Sequence, residues 1–304
     1  MTGVKIKSVA AGQGEQWAKV KAMTQAGNVD ISRRKEHAMK SEVTEDQVRE
    51  YQERGFVHIP GLLSPAEVAE LKAAVLEAVE MMAGRKIAPG GVDRLDGDDR
   101  YYDKVFTQRI NVSKLNQTIH RYIRGPEIGN IASALARQPA MRIFLDQALI
   151  KEPYGNPTAW HLDNPYWPFY SRDSISIWIA LEDATPLNGC LSFVPGSHKL
   201  ANFDNVDIGK DLAGLFKIYP GMAETDPVAV PMPAGDCSFH NGLTAHGAGA
   251  NMTRRRRIAM TAGFMPDGST FNGHQGILPT AYFESLKVGD KLCNDTINPI
   301  VGRA

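Results

Sequence analysis

Cysteine is scarce in this chain, with Cys190, Cys237 and Cys293 the only three among 304 residues. They form no CxxC pair, and an odd number leaves at least one thiol without an internal partner. Secreted domains that rely on disulfides usually carry many cysteines in even numbers. The N-terminus also lacks the apolar core of a secretory signal. We therefore expect a cytoplasmic protein with reduced thiols.

Long apolar runs and an excess of charge are missing too. No stretch of about 18 apolar residues occurs, so no membrane-spanning helix is expected. The 34 lysines and arginines equal the 34 aspartates and glutamates, so no overall basic field attracts nucleic acid. Neither a Gly-x-Gly-x-x-Gly turn after a strand nor a phosphate loop is present. We expect a small-molecule substrate, no nucleic-acid or membrane partner, and a monomer or homodimer.

The charge pattern divides the chain near residue 40. Residues 1–40 are polar and show little periodicity, so we predict an N-terminal extension with one short helix near residues 16–24. Residues 41–304 are predicted to form a single domain. Within this domain, residues 85–104 are rich in glycine, aspartate and arginine. This composition predicts a mobile surface loop that closes over a site as a lid.

Helices are predicted around the opening strand of the domain. Thr44 with Gln47, and Ser64 with Glu67, have the spacing of capping boxes, in which side chain and backbone satisfy each other at a helix start. They predict one helix that ends at Gly55 and a second that ends before Gly84. Further helices are predicted at residues 126–137 and near 281–286, and a strand at 56–60.

From Met141 onward the pattern is that of β structure, with short extended segments between turns rich in proline and glycine. The predicted strands cover residues 142–150, 174–181, 191–194, 228–230, 236–239 and 256–264. Many short strands with close turns are typical of a sandwich or barrel, and a double-sheet jelly roll is one such fold. The absence of a 20- to 50-residue repeat argues against a propeller. The predicted class is mainly β with flanking helices.

Three side chains have the composition of a metal site. If the stretch around His161-Leu162-Asp163 is extended, His161 and Asp163 point to the same face, about 7 Å apart along the strand. His246 lies in a second polar stretch and can supply a third ligand. Two histidines and one carboxylate form the facial triad of non-haem Fe(II) oxygenases. Zinc hydrolases use a similar set of donors and remain an alternative.

Arg257, eleven residues after His246, favours the oxygenase. Its planar guanidinium pairs with a carboxylate through two hydrogen bonds, as a dicarboxylate co-substrate requires, whereas a hydrolase needs only water. On an extended segment Arg257 shares a face with Ala259, Thr261 and Gly263, which leaves room for a bound acid. The neighbouring Arg254 and Arg255 are interpreted as part of a solvated basic turn.

Other side chains are candidates for contacts around the metal. Gln147 and Thr261 are predicted to hydrogen-bond the co-substrate, and Trp178 to form the floor of the site. Asn164 is predicted to bond the ligands or the substrate, and His240 to line the site from a loop. The aromatic residues close to His161 and Asp163 in the sequence either pack in the core or form a substrate wall. They are Trp160, Tyr166, Trp167, Phe169 and Tyr170.

The motifs taken together resemble the phytanoyl-CoA dioxygenase family of Fe(II)- and 2-oxoglutarate-dependent oxygenases. They lie at residues 55–57, 62–64, 160–163, 178–191, 194–199, 235–236 and 246–251, and the likeness covers about residues 45–265. The resemblance implies a double-stranded β-helix, a cupin-like jelly roll. It also implies His161, Asp163 and His246 as catalytic iron ligands and Arg257 as the anchor of 2-oxoglutarate. Members often carry a serine two residues after the distal histidine, where this chain has Ala248.

The resemblance also implies the chemistry. Fe(II), 2-oxoglutarate and O₂ would oxidise a C–H bond of a small metabolite, most often by hydroxylation, with release of succinate and CO₂; ascorbate can stimulate such reactions. Natural-product metabolism is the expected setting. The alternatives are an acyl-CoA 2-hydroxylase and a desaturating, cyclising or peroxide-forming member. Outside the class, a metal-dependent cupin-like hydrolase or isomerase and a non-catalytic binding module remain open. The carboxylate of Asp163 argues against halogenation.

Overall fold

The chain begins its described part with two capped helices. The computed structural model describes residues 39–88, 91–92, 94–97, 101–204 and 206–303, so the predicted extension and its helix at 16–24 lie outside it. Helix α1 (Glu45–Arg54) starts at Thr44, whose hydroxyl accepts from the Gln47 amide while the Gln47 side chain accepts from the Thr44 amide. It ends at Gly55, where φ is 82°, a conformation that glycine adopts without steric cost.

The remaining helices include the second one predicted from its capping box. Ser64 and Glu67 form that box, as expected. The α-helices are α2 (Pro65–Met82), α3 (Gln117–Arg124), α4 (Pro126–Ala136), α5 (Gly214–Ile218) and α6 (Thr280–Glu284). No helix among the described residues is both long enough and apolar enough to cross a membrane.

Eleven strands in the described residues form two antiparallel sheets. The larger has the order β1-β8-β5-β10-β3-β11, with β2 also paired to β3, and the smaller has the order β4-β9-β6-β7. The strands are β1 (Phe56–Ile59), β2 (Thr107–Ile110), β3 (Ala140–Lys151), β4 (Thr158–His161), β5 (Ile175–Ala180), β6 (Leu191–Phe193), β7 (Val228–Ala229), β8 (Cys237–Asn241), β9 (His246–Ala248), β10 (Arg257–Pro266) and β11 (Ile300–Arg303).

The two faces of the larger sheet bury different clusters. On the outer face, Ile177, Phe239 and Met260 pack with residues of α2 and α4. On the inner face, Trp178 and Phe56 pack with Phe193 of the smaller sheet, and the Phe56 and Phe193 rings stack at 4.5 Å. Because side chains alternate along a strand, strands β1, β5 and β10 send one set of side chains to the helices and another between the sheets. This is the double-sheet fold predicted from the sequence.

The structure corrects the sequence analysis at several points. The strand β4 ends at His161, so the stretch is not extended as far as Asp163. Strands β2, β9 and β11 and helices α3 and α5 were not predicted. Strands β2 and β11 pair with β3, and their stability comes from that long-range pairing and not from a local sequence pattern.

The predicted lid is described only in part. Within the described parts of residues 85–104, Asp96 accepts two hydrogen bonds from the Arg109 guanidinium, at 2.7 and 3.0 Å. The Lys86 amine lies 2.6 Å from Asp103. The contact with Arg109 attaches the segment to β2, and its closure over the site stays a prediction.

Candidate active site

The triad side chains converge between the sheets. Asp163 Oδ1 lies 3.7 Å from His161 Nε2 and 3.6 Å from His246 Nε2. The two imidazole rings are 4.1 Å apart between centroids, and one ligand atom from each of the three residues lies within 4.8 Å of the others. The pairing of β4 with β9 places His161 directly opposite His246. One metal ion can therefore contact all three, as the sequence analysis predicted.

His161 and His246 each direct a nitrogen lone pair, and not an N–H group, toward this centre. His161 Nδ1 donates to the Ala159 carbonyl at 2.8 Å, and His246 Nδ1 donates to the Thr244 carbonyl at 3.0 Å. A carbonyl can only accept, so the proton of a neutral imidazole sits on Nδ1 and leaves Nε2 free for a metal. Burial, followed by the charge of the neighbouring histidine, lowers the pKa of His161 to about 4. Burial likewise lowers the pKa of His246 to about 4.

Asp163 reaches the centre by a route that the sequence did not indicate. Its backbone is helical, with φ −79° and ψ −50°, and its amide donates to the Gly242 carbonyl at 3.0 Å. Asp163 Oδ2 accepts hydrogen bonds from Ser176 Oγ at 2.6 Å and from His240 Nε2 at 3.1 Å. Burial alone would raise the pKa of Asp163, but the surrounding histidines lower it well below its usual range, so the group is an anion.

His240 differs from its predicted role. It lies on strand β8 and not on a loop, is 3% exposed, and bonds the iron-ligand carboxylate. Its ring is 4.4 Å from that of His246. This geometry makes His240 a positioning residue for Asp163, and its contact with substrate stays a prediction. Ser176, which bonds the same oxygen, was missed because a serine inside an apolar strand carries no distinctive signal.

Arg257 has the burial that a carboxylate anchor requires. It is 2% exposed, and its guanidinium carbon lies 5.0 Å from the centroid of the Trp178 ring. Its Nε and one terminal nitrogen are buried without a hydrogen-bond partner. Burial lowers the pKa of Arg257 to about 10, so it remains a cation at neutral pH. Unpaired donors on a buried cation indicate that a ligand supplies the acceptor.

The adjacent arginines behave as the sequence analysis expected. Arg254, Arg255 and Arg256 are all exposed, and the last of them bonds Glu152 at the surface, at 2.9 Å. Within the run of four arginines, only Arg257 enters the space between the sheets.

The remaining predicted co-substrate residues lie side by side. Thr261 is directly opposite Gln147 on β3 and Trp178 on β5. The side chains of Thr261, Gln147 and Trp178 are all on the inner face of the larger sheet. Along β10 they lie between the position opposite Ser176 and the end that carries Arg257. Gln108 of β2, which the sequence analysis missed, donates from Nε2 to Gln147 Oε1. The contacts of these residues with 2-oxoglutarate stay predictions.

Among the predicted substrate residues, Asn164 bonds the backbone that follows Asp163, and its contact with substrate stays a prediction. It is fully buried, its amide nitrogen donates to the Phe169 carbonyl, and its amide oxygen accepts from the Ser171 backbone. Both ends of the amide therefore fix the loop that follows the triad. Trp167 is buried beside Phe144 and Phe169. A side chain at Gly263 would lie 2.9 Å from the Trp167 ring, so this glycine admits the indole to the inner face.

Trp160 and Tyr166 lie nearer the surface. The Trp160 ring is 5.6 Å from Phe216 of α5, and Tyr170 stacks on Phe203 at 4.6 Å. Tyr166 is 38% exposed, and its hydroxyl donates to the Val206 carbonyl. Phe216 and Phe203 thus lie against aromatic side chains that flank His161 and Asp163 in the sequence. Their contact with substrate stays a prediction.

The donor set fits Fe(II) and 2-oxoglutarate. Two neutral imidazoles and one carboxylate occupy one side of the centre, which leaves positions open for a bidentate ligand and for O₂. The unpaired guanidinium donors of Arg257 fit the far carboxylate of that ligand. Zinc would accept the same three protein ligands, but a hydrolytic site gives no reason for the buried arginine.

Comparisons with known proteins agree with this geometry. The family model described as Phytanoyl-CoA dioxygenase (PhyH) matches residues 51–259. The peroxisomal phytanoyl-CoA dioxygenase of Mus musculus is 28% identical over 237 residues, which cover 73% of this chain and 68% of that protein.

Two solved structures are similar in sequence and in fold. One is SnoK, a non-haem alpha-ketoglutarate-dependent carbocyclase from nogalamycin biosynthesis, with a TM-score of 0.70 and 30% identity over 88% of this chain and 99% of that one. The other is the epimerase SnoN in complex with Fe³⁺, alpha-ketoglutarate and nogalamycin RO, with a TM-score of 0.65 and 31% identity over 84% and 98%. The jelly-roll fold and the iron and 2-oxoglutarate chemistry are thereby confirmed.

Proposed function

This chain belongs to the phytanoyl-CoA dioxygenase family of Fe(II)- and 2-oxoglutarate-dependent oxygenases, and we propose that it hydroxylates a C–H bond of a small natural-product metabolite. One observation carries the oxidative chemistry. A facial triad and a buried cation with unpaired donors lie between the same two sheets. A hydrolase or isomerase would use the triad alone, and a binding module would need neither the open metal positions nor the arginine.

Each residue has a defined task in this reaction. His161, Asp163 and His246 hold the iron, and Ser176 and His240 fix the second oxygen of the carboxylate. When bound, the iron and 2-oxoglutarate supply the oxidising power that breaks the C–H bond, with release of succinate and CO₂. Arg257 holds the far carboxylate of the co-substrate. The burial of these groups keeps water away from the reacting centre.

The aromatic surroundings support a small apolar substrate. Tyr170 and Phe203 stack as a flat apolar surface, and Trp160 pairs with Phe216 on the face of β4 opposite to His161. The chain carries no net charge, which gives no long-range attraction for a phosphate backbone. SnoK and SnoN, which resemble this chain over most of its length, come from nogalamycin biosynthesis. These observations favour a natural-product scaffold.

Ring closure is the second candidate outcome, favoured by the similarity to the carbocyclase SnoK. Acyl-CoA oxidation is the runner-up substrate class, and the phytanoyl-CoA dioxygenase relatives support it. The phosphates of the coenzyme A group would need a basic surface. Arg254 and Arg255 are exposed and could supply one, but Arg256 is already paired with Glu152.

Succinate release tests the proposal. The iron-loaded protein is supplied with 2-oxoglutarate and a panel of polycyclic natural products, free fatty acids and the matching acyl-CoA thioesters. We expect release to be stimulated by the natural-product scaffolds, with a product heavier by one oxygen atom for hydroxylation or lighter by two hydrogens for ring closure. Stimulation by acyl-CoA alone would overturn the substrate assignment, and no 2-oxoglutarate consumption with any compound would overturn the reaction itself.

A further inference from the structure

Lys151, the last residue of β3, is a lysine buried without an acidic partner. It is 0% exposed. Its Nζ donates to the Asn156 carbonyl at 2.6 Å and to Thr158 Oγ1 at 3.4 Å. An ammonium group has three N–H donors, and beyond these two oxygens the amine lies only near the Phe106 ring, 5.9 Å from its centroid. No carboxylate among the described residues lies within ion-pair distance of it, although buried lysines are normally paired.

Lys151 lies beside Arg257. The two residues are directly opposite each other in the pairing of β3 with β10, so their side chains leave the sheet on the same face. The Arg257 charge acts on the Lys151 amine, because it adds to burial in lowering the pKa of that amine to about 7. Two basic groups are thus buried together, and Arg257 too has donors left over.

Among the described residues, no carboxylate forms an ion pair with Lys151 or Arg257. The acidic groups that act on Arg257 are Cys190 and Glu182. Burial raises the pKa of the Cys190 thiol, so it is neutral, and the Glu182 carboxylate accepts a hydrogen bond from Lys72 at 2.6 Å. Burying two cations without a counter-ion is costly. The arrangement is favourable when a ligand brings the negative charge.

The lysine stem is held in place by its neighbours. A side chain at Gly189 would lie 3.0 Å from the Lys151 Cδ and 3.1 Å from its Cε, so the glycine makes room for the stem. Thr158, near the amine, pairs with Ala248 on β9, and the Ala248 side chain offers no polar group. The Lys151 amine is therefore a polar group beside Arg257 at this end of the site.

We propose that Lys151 joins Arg257 in binding the far carboxylate of 2-oxoglutarate and so selects a dicarboxylate over a 2-oxo acid with a single carboxylate. The inference rests on 2-oxoglutarate as the co-substrate. Arg257 can donate two parallel hydrogen bonds to one edge of the carboxylate, and the N–H of Lys151 that is not bonded to Asn156 or Thr158 can donate a third. Both contacts would be made in a dry space, where charge-assisted hydrogen bonds are strongest.

Binding of two ligands with carbon chains of equal length distinguishes a role of Lys151 in co-substrate binding from a purely structural role. Binding of 2-oxoglutarate and of 2-oxovalerate, which lacks the far carboxylate, is measured by calorimetry on the iron-loaded protein without O₂. In Lys151→Met we expect the affinity for 2-oxoglutarate to fall by about 10- to 100-fold, the effect of losing a hydrogen bond to a charged group. The affinity for 2-oxovalerate should change less than about twofold.

Two further variants complete the test. Lys151→Gln keeps a donor for Asn156 and Thr158, so it should fold normally and still lose affinity for 2-oxoglutarate. Lys287→Met removes an exposed lysine and should change the affinity for neither ligand. Equal weakening of both ligands in Lys151→Met and Lys151→Gln would mean that the lysine only supports the fold, and unchanged binding would mean that it does not touch the co-substrate. If the unaltered protein failed to bind 2-oxoglutarate at all, the proposed function would be wrong rather than this inference.

Discussion

His240 and Asp163 share a hydrogen bond of 3.1 Å although 77 residues separate them in the chain. The bond uses Asp163 Oδ2, which also accepts from Ser176. The other oxygen, Oδ1, is then left facing His161 and His246. The orientation of the iron-binding carboxylate is thus set by contacts on its far side, as is common for metal ligands.

Loss of this contact should weaken iron binding without removing a ligand. In His240→Phe we expect the iron affinity to fall by about 10- to 100-fold, because Asp163 loses one of the two donors that orient it. Competition with a chelator measures this directly. His240→Gln retains a donor and should show a smaller loss. His274→Phe, which alters an exposed histidine, is the control, and an equal effect in His240→Phe and His274→Phe would contradict the assignment.

Removal of a histidine ligand should have a larger effect. His161→Ala and His246→Ala each leave two protein ligands for the iron. We expect metal analysis to find no bound iron after gel filtration and no succinate formation with any substrate. His274→Ala should keep full occupancy. Normal iron content in both ligand variants would mean that the centre lies elsewhere.

Arg257→Leu should raise the 2-oxoglutarate requirement while sparing iron. The substitution removes one partner of a buried, charge-assisted contact, a loss on the order of 2–5 kcal/mol. Since each 1.4 kcal/mol is about tenfold, the apparent affinity should fall by roughly 30-fold or more. The measurement is the dependence of succinate release on 2-oxoglutarate, with iron content determined in parallel.

Arg255→Leu is the matched control for that experiment. Arg255 is exposed and lies just before the same strand, and surface substitutions of this kind usually change little. A large defect in Arg255→Leu with near-normal behaviour of Arg257→Leu would show that Arg257 is not the anchor.

Binding of 2-oxoglutarate should take up a proton through Lys151. Burial and the Arg257 charge lower the pKa of the free amine to about 7, whereas a bound carboxylate favours the charged form and raises that pKa. The complex then binds more protons than the free protein above about pH 7, so affinity is full below that pH and is lost as the pH rises. Among the described residues, Arg257 is the charged group that acts on this amine.

Calorimetry in two buffers of different ionisation enthalpy measures the proton uptake, and a series between about pH 6 and 9 gives the slope of affinity. The dependence of 2-oxoglutarate affinity on pH should be weaker in Lys151→Gln, which has no titrating amine. The same slope in Lys151→Gln and the unaltered protein would assign the pH dependence to another group.

The segment at residues 85–104 is predicted to close when both substrates are bound. The described part is attached to β2 through the Asp96 and Arg109 ion pair, and closure over the site would complete the exclusion of water. Hydrogen exchange should slow in this segment when 2-oxoglutarate and substrate are added, whereas helix α4 should be unaffected. Strong and equal protection with and without ligands would argue against a lid.

The sequence by itself determined the capped helix starts, the fold class and the candidate metal ligands. The capping boxes at Thr44 and Ser64 were sufficient to place two helix starts, because capping depends on residues three positions apart. The dense turns predicted a double-sheet fold. His161, Asp163 and His246 could be selected because two imidazoles and a carboxylate suit a metal ion, and Arg257 because a guanidinium suits an acidic co-substrate.

Only the tertiary structure decided how these groups are arranged. Asp163 turns toward the histidines on a helical backbone and not on a strand, and its partner His240 comes from a distant part of the chain. Lys151 faces Arg257 because β3 pairs with β10 in one particular register. Register is set by the packing of whole strands against the core, and a shift of one residue would turn Lys151 to the opposite face. No local pattern contains that information, so the site could be recognised from the sequence but its second cation could not.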